Sequence, residues 1–144
     1  MRTHRLIALA LAAGLTLSAT ACGGSDDAEA ITKTDFIEQA DAICKKGDAA
    51  IDKLSDGIDD SDQAAIEAFY VKAATASLEQ ISAVRDLGFP DGDEDRLDKD
   101  LSASETAFEK VKKDPSKTEE LAADKDIEAA QKDLQEYGLK ECGS

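Results

Sequence analysis

Hydrophobic residues recur at steps of three and four along this chain, a spacing that predicts amphipathic α-helices. The first helix is expected to begin near Thr32, where residues 32–35 (TKTD) resemble a capping box, and to end near Gly57. Its apolar face is formed by Phe36, Ala40, Ile43, Gly47, Ile51 and Leu54. The second helix is expected after residues 59–61 (DDS) and ends at about Leu87. Its face is formed by Ile66, Tyr70, Ala74, Leu78 and Ile81.

A third helix is expected to open in the acidic residues 91–95, because carboxylates complement the positive end of a helix dipole. Pro115 ends it. Its apolar face is weaker than the first two because it includes Ser104, whose hydroxyl can bond back to the preceding turn. The other members of this face are Leu97, Leu101, Phe108 and Val111.

A fourth helix is expected to be capped by Ser116, with Glu119 three residues further on. Residues 124–126 (DKD) can break this helix, and Gly138 followed by Leu139 is typical of a helix C-terminus. The face of the fourth helix is formed by Leu121, Ile127, Ala130, Leu134 and Tyr137.

Apolar and polar residues do not alternate with a period of two over any useful length, so the pattern predicts no strand. Four amphipathic helices joined by short turns predict an all-α fold, packed as an up-down-up-down four-helix bundle. Phe89 lies in the turn before Pro90, and two roles are open for it. It can plug the end of the bundle or form part of an exposed contact patch.

The N-terminal pattern differs from the rest of the chain. Residues 1–5 are basic, residues 6–17 are apolar and residues 18–21 are small, which is typical of a secretory signal peptide. Residues 19–22 (ATAC) resemble a lipobox, although Ala19 stands where Leu is usual, so Cys22 is the expected lipidation site. This predicts a signal peptide over 1–21 that is removed, a lipidated Cys22 and flexible tether over 22–31, and a helical domain over 32–144. The alternative is ordinary cleavage before an unmodified Cys22.

The cysteine count fits the lipoprotein prediction. Three cysteines in an exported protein leave one unpaired, and lipidation of Cys22 accounts for it. Cys44 and Cys142 then remain as a disulfide pair in an oxidising compartment. The expected location is therefore extracytoplasmic, on the outer face of the cell membrane, with the N-terminal lipid as the anchor.

Charge limits the possible partners. The chain has 144 residues and a formal charge of −15, and loss of residues 1–21 leaves 15 basic against 32 acidic residues, or −17. Nucleic acid is excluded as a partner, because its binding needs basic side chains. An envelope protein or polymer that is cationic or neutral is the expected kind of macromolecular partner.

Few residues are available for catalysis. His4 is the only histidine and belongs to the predicted signal peptide. Without it, the mature chain cannot form a Ser-His-Asp or Cys-His pair, or the histidine-containing metal sites that helix bundles often carry. The sequence therefore predicts that the protein is not an enzyme and holds no cofactor. An enzyme that uses carboxylates alone is the third-ranked hypothesis.

An acidic run requires comparison with a calcium loop. Asp91, Asp93 and Asp95 match positions 1, 3 and 5 of an EF-hand, but Arg96 replaces the required Gly and Ser102 the required Glu. The predicted interpretation is a solvated turn that begins a helix, with no metal site. A looser calcium site at the three aspartates is the alternative.

Two cysteine motifs resemble those of a group of small actinobacterial secreted and lipid-anchored helical proteins of unknown function. They are residues 36–44 (FIEQADAIC) and residues 138–143 (GLKECG), and the turn 87–90 lies where the group often has a proline. The resemblance covers the mature chain in outline. It implies a helical domain with one disulfide, and no catalytic residues are transferred by it.

These observations favour a membrane-tethered, extracytoplasmic lipoprotein that acts as a non-enzymatic binding or accessory module of the cell envelope. The alternative is a carrier or sensor that holds a small apolar ligand or a cation between its helices.

Overall fold

The computed structural model describes residues 30–59 and 61–143, and within these ranges it contains α-helices and no strand. The predicted all-α class is confirmed. The count of four helices is corrected to five, because the expected fourth helix is divided in two, and a 3-10 turn at Pro115–Lys117 precedes it. The helices are α1 (Lys33–Ser55), α2 (Gln63–Arg85), α3 (Glu94–Lys113), α4 (Thr118–Ala122) and α5 (Lys125–Tyr137).

Side-chain caps fix where the two longest helices begin. The Thr32 hydroxyl accepts a hydrogen bond from the backbone N–H of Asp35 at 3.2 Å, as the capping pattern predicts. The Asp62 carboxylate accepts from the N–H groups of Ala64 and Ala65 at 3.0 and 3.1 Å. These bonds satisfy amide groups that have no partner within their own helix.

Aspartates also explain why the fourth predicted helix is divided. Ser116 was expected to cap it, and this is wrong. The Asp114 carboxylate instead accepts from the Ser116 N–H at 3.1 Å and holds the 3-10 turn, so α4 begins only at Thr118. Asp124 then accepts from the Asp126 N–H at 2.9 Å and begins α5. Aspartate stabilises a helix start better than a helix interior.

The end of α5 forms the predicted glycine stop. Gly138 has φ +123°, a conformation that L side chains rarely adopt. The N–H of Leu139 reaches the carbonyl of Leu134 at 2.9 Å, and the N–H of Gly138 reaches that of Gln135 at 3.1 Å. This is the Schellman pattern, and it turns the fully buried Leu139 back into the core.

The helices enclose two clusters of buried side chains, with α2 packed against α1 and α3, and α3 packed against α5. We call the larger cluster the aromatic core; it comprises Phe36, Ala40, Cys44, Ile81, Val84, Leu97, Leu101, Leu134, Tyr137 and Leu139. We call the smaller cluster the alanine core; it comprises Ala74, Ala107, Val111 and Leu121. Phe108 packs against both clusters.

Phe89 packs against the aromatic core. Its ring centroid lies 5.9 Å from that of Phe36, in an edge-to-face arrangement that aromatic rings favour. Of the two roles left open by the sequence, the structure therefore gives Phe89 the packing role.

Burial along α1 decreases toward its C-terminal end. Phe36 and Ala40 are fully buried, whereas Leu54 is 37% exposed. The predicted face is rotated slightly, since Cys44 is buried and its neighbour Ile43 is only partly covered. None of the helices described here combines the length and the apolar character needed to span a membrane.

Arg85 ties α2 to α3. Its guanidinium pairs with Asp98 at 3.2 Å and with Glu105, and donates to the Ser102 hydroxyl at 2.8 Å. The three partners lie on one side of α3 at spacings of three and four residues, so one side chain spans two helical turns. This fixes the position of α3 beside α2, where the cavity described next is formed.

Candidate functional site

A cavity of about 290 Å³ lies among the helices. Every helix contributes to its wall, and the apolar part is formed by Ile81, Leu101, Val111, Leu121, Ile127 and Leu134. The Cys44–Cys142 disulfide lines one end. The wall thus includes members of both the aromatic core and the alanine core.

Small side chains account for this empty space. Ala107 of α3 and Ser77 of α2 are both buried and both line the cavity, where larger residues would fill it. The hydroxyl of Ser77 donates to the carbonyl of Ala73 at 3.1 Å, and that of Ser104 to the carbonyl of Asp100 at 3.2 Å. Because the two serine hydroxyls donate to carbonyls of their own helices, their donors already have partners, and the side chains take up little of the space.

The end of the cavity near the disulfide is polar. Asp48 of α1, Gln80 of α2 and Glu141 of the C-terminal turn contribute to its lining there. Burial raises the pKa of Asp48, and the nearby carboxylates of Asp52 and Glu141 raise it further, while the Gln80 amide opposes the rise. Two acids and one amide therefore lie close together beside an apolar space.

Gly47 explains how the Gln80 side chain reaches this place. A Cβ added to Gly47 would lie 1.6 Å from Gln80 Nε2, so α1 accommodates the amide only because residue 47 has no side chain. Gln80 Nε2 is itself buried and has no hydrogen-bond partner. An unpartnered buried donor costs free energy.

Cys44 and Cys142 form the expected disulfide, with their Cα atoms 5.1 Å apart. A second contact holds the C-terminal turn against α1. The Asp41 carboxylate accepts from the backbone N–H groups of Lys140 and Glu141 at 3.2 and 3.1 Å. The polar end of the cavity is thereby fixed by one covalent bond and two hydrogen bonds.

The predicted lipidation site, Cys22, lies outside the described residues, as do the predicted signal peptide over 1–21 and residues 22–29 of the predicted tether. His4 also lies there. The lipid anchor therefore remains a prediction from the sequence.

The three aspartates of the calcium hypothesis have different surroundings. Asp91 and Asp95 are exposed, whereas Asp93 accepts a hydrogen bond from the Tyr137 hydroxyl at 2.7 Å. Burial raises the pKa of Tyr137, and the bond to Asp93 adds to this, so the phenol stays protonated. Within residues 30–59 and 61–143, no group of three or more acidic, histidine or cysteine side chains is arranged to hold a metal ion.

Asp100 is a buried carboxylate that the sequence pattern did not predict. It is 2% exposed, and its Oδ2 atom has no hydrogen-bond partner. Burial raises the pKa of Asp100, and the carboxylate of Asp133 raises it further, against the opposing charges of Lys99 and Arg96. This carboxylate destabilises the fold whenever it is ionised.

Comparison of the chain with protein-family models, curated proteins and solved structures gives no match. The functional argument therefore depends on the geometry of the cavity. Sequence reasoning named Cys44 and Cys142 at this site but missed Asp48, Gln80 and Glu141. The one sequence signal that pointed there is Gly47, a residue without a side chain in the middle of a long helix.

Proposed function

We propose that this protein is a lipid-anchored, extracytoplasmic binding protein that is not an enzyme and holds a small, largely apolar ligand between its helices. The sequence left two binding hypotheses open, an accessory module for an envelope partner and a carrier or sensor of a small ligand. The observation that favours the second is the cavity of about 290 Å³ with its apolar wall. Ligand pockets are typically concave, apolar and equipped with a few polar groups.

The volume sets the size of the ligand. An engineered cavity of about 150 Å³ accommodates benzene, so a cavity about twice as large suits a compact body of about a dozen non-hydrogen atoms. A folded lipid with two long acyl chains is too large. The matching ligand is a single-ring or short branched molecule with one polar end.

Surface composition gives the accessory-module hypothesis less support. Among the described residues, Leu54 is the only large hydrophobic side chain that is exposed. Contact patches for proteins usually expose several hundred Å² of contiguous apolar surface. A cationic or neutral envelope protein or polymer that binds through charge alone remains the second hypothesis, based on the acidic composition.

Two neighbouring alanines provide a matched test of the cavity. Ala122 and Ala123 are both exposed and adjacent, but only Ala122 lines the cavity. Phenylbutanol, a compact molecule with a neutral polar end, is expected to bind the full chain saturably in isothermal titration calorimetry. Ala122→Phe should weaken this binding because the new ring enters the cavity, whereas Ala123→Phe should leave it unchanged. Equal effects of the two variants, or no saturable binding, would contradict the proposal.

The anchor and the helix arrangement complete the proposal. Lipidation at Cys22 predicts that the protein fractionates with membranes and that Cys22→Ser abolishes the lipid, as mass spectrometry can measure. Recovery of the unaltered protein wholly in the medium would contradict this.

The up-down-up-down order is supported by the short connections between α1, α2 and α3 and by the contacts between consecutive long helices.

A further inference from the structure

We infer that the ligand is a cationic amphiphile, with an ammonium group between Asp48 and Glu141 and an apolar body along the wall formed by Ile81, Leu101 and Leu134. This inference depends on the proposed function, because it names the chemical class of the ligand that the cavity holds. It follows from the distribution of charge within the cavity, which is uneven.

The polar end of the cavity is negatively charged. Asp48 and Glu141 belong to different parts of the chain, and the disulfide brings α1 and the C-terminal turn together beside them. The Glu141 carboxylate opposes ionisation of Asp48 and adds to the rise that burial causes in the pKa of Asp48. A bound cation removes this repulsion, whereas a bound carboxylate or phosphate increases it.

The Gln80 amide adds a third group of suitable chemistry. Its Nε2 atom is buried without a hydrogen-bond partner. The amide also carries an oxygen, Oε1, which accepts hydrogen bonds. An ammonium group has three N–H donors and no acceptor, so carboxylate and amide oxygens are the groups that complement it.

The apolar part of the cavity makes a bare metal ion unsuitable as the ligand. Calcium requires six to eight oxygen ligands, and magnesium a nearly ideal octahedron. Most of the wall beyond Gln80 is formed by aliphatic side chains and Phe108. The hydroxyls of Ser77, Ser104 and Thr118 also line the cavity, but each donates to a backbone carbonyl. No group of three or more acidic, histidine or cysteine side chains in the described residues is arranged to hold a metal ion. An ammonium joined to a hydrocarbon satisfies both parts of the cavity at once.

The net charge of the chain also favours a cationic ligand. A formal charge of −15, or −17 without residues 1–21, raises the local concentration of small cations and repels anions. Long-range attraction of this kind falls with ionic strength, whereas contacts inside the cavity are screened less. Part of the preference for a cation should therefore persist at high salt.

The test uses three probes with one common body: phenylbutylamine, phenylbutanol and phenylbutyrate. They differ only in a cationic, neutral or anionic end. Calorimetric titration of the purified full chain should give the order amine, alcohol, carboxylate from tightest to weakest, with at least about a tenfold gap between amine and alcohol. A blank titration of each probe into the same buffer, with any lipid or detergent that keeps the chain in solution, is subtracted.

Variants then locate the ammonium. Asp48→Asn should weaken binding of phenylbutylamine about tenfold and leave phenylbutanol nearly unchanged, because only the amine loses a charge-assisted bond. Glu141→Gln should act in the same direction. Glu79→Gln is the control, since Glu79 is an exposed acid beside Gln80 and does not line the cavity.

Gly47→Ala provides a second route to the same answer. The new methyl group overlaps the Nε2, Cδ and Cγ atoms of Gln80, so the Gln80 side chain must move, and no charge is removed. Amine binding should weaken while the melting temperature changes little, since alanine also favours the helix. Binding can thus be separated from folding even if a carboxylate variant folds poorly.

The outcomes distinguish this inference from the proposed function. If the alcohol or the carboxylate binds as tightly as the amine, or if Asp48→Asn and Glu79→Gln act alike on the amine, the cationic class is wrong and the cavity still binds a small apolar ligand. If none of the three probes binds, both the inference and the proposed function are wrong.

Discussion

The aromatic core and the alanine core share helices α2 and α3 but are filled to different extents. In the aromatic core, Phe36 is fully buried, and the rings of Phe89 and Tyr137 meet it edge-on at centroid distances of 5.9 and 6.3 Å. In the alanine core, two of the four buried residues are the alanines Ala74 and Ala107, and the cavity lies beside Ala107. Large rings close the space around Phe36, whereas the cavity is lined by the small side chain of Ala107 as well as by Ile81 and Leu101 of the aromatic core, so side-chain volume decides where space remains for a ligand.

The disulfide is expected to make the largest contribution to the free energy of unfolding, because it joins the aromatic core to the C-terminal turn. The two cysteines are separated by 98 residues in the sequence. Replacing both, with Cys44→Ala and Cys142→Ala, should lower the free energy of unfolding by about 4–5 kcal/mol on the chain-entropy model. Denaturant titration measures the loss. A reducing agent should destabilise the wild type and leave the double variant unaffected; equal behaviour of the two would contradict the prediction.

Removing one aromatic ring from each region should sharpen the comparison. Phe36→Ala should cost about 3–5 kcal/mol, because the ring is fully enclosed. Phe108→Ala should cost at least about 1 kcal/mol less, since Phe108 is partly exposed and borders the cavity, so fewer contacts are lost. Denaturant unfolding at one temperature measures both. If the Phe108 variant loses as much stability as the Phe36 variant, the two regions are packed equally well.

Asp100 makes the aromatic core less stable than its packing suggests, because it lies on α3 between Leu97 and Leu101. Asp100→Asn should raise the free energy of unfolding at neutral pH by about 1 kcal/mol, since it removes a buried charge without changing the shape.

The pH dependence of this effect has a defined sign. Because the pKa of Asp100 is raised in the folded state, the protonated form favours folding at low pH. That contribution is fully present below the ordinary pKa of 3.8 and is lost as the pH rises through the folded-state value. The variant and the wild type should therefore have similar stability below pH 3.8 and diverge above it. A gain that does not depend on pH would show that the charge is not its cause.

Adding volume at one position in each region is a further test of the comparison. Ala40 of the aromatic core is fully buried, whereas Ala107 lines the cavity. Ala40→Val should destabilise the protein by about 1–3 kcal/mol through overpacking. Ala107→Val should change stability by less than about 1 kcal/mol, because the added methyl groups enter empty space. Valine has a lower helix propensity than alanine in α1 and in α3 alike, so propensity does not contribute to the difference between the two variants. Thermal unfolding of the two variants is the measurement, and equal destabilisation would mean that the cavity is not available to side chains.

Helical periodicity predicted much of the fold because the spacing of apolar residues depends on the geometry of each helix alone. Leu97, Leu101, Leu134 and Tyr137 were expected on core-facing positions and are buried there. The stop at Gly138 was likewise predictable, since a glycine followed by a hydrophobic residue specifies that turn.

Other features depend on which helices meet, and a single sequence does not encode this visibly. Gln80 and Asp48 lie on different helices, and neither stands out from the many polar residues around it. Asp100 was overlooked because a carboxylate at a core position contradicts the rule that charges remain outside. The start of α4 was misplaced because Asp114 and Ser116 are both good caps, and the competition between them is decided by the 3-10 turn.

The Cys44–Cys142 disulfide also has a mechanical consequence. A pulling force between Ile31 and Gly143 acts through residues 31–44, the disulfide and Cys142, and the loop between the two cysteines carries no load. While the bond is intact, the chain can extend by only about 14 residue steps, or about 50 Å, instead of about 380 Å for the whole segment. Residues 45–55 of α1, all of α2 to α5 and the cavity wall that they form are enclosed in that unloaded loop. Tension on the N-terminal end can unravel the first turns of α1, but it cannot draw out the loop that contains the binding site.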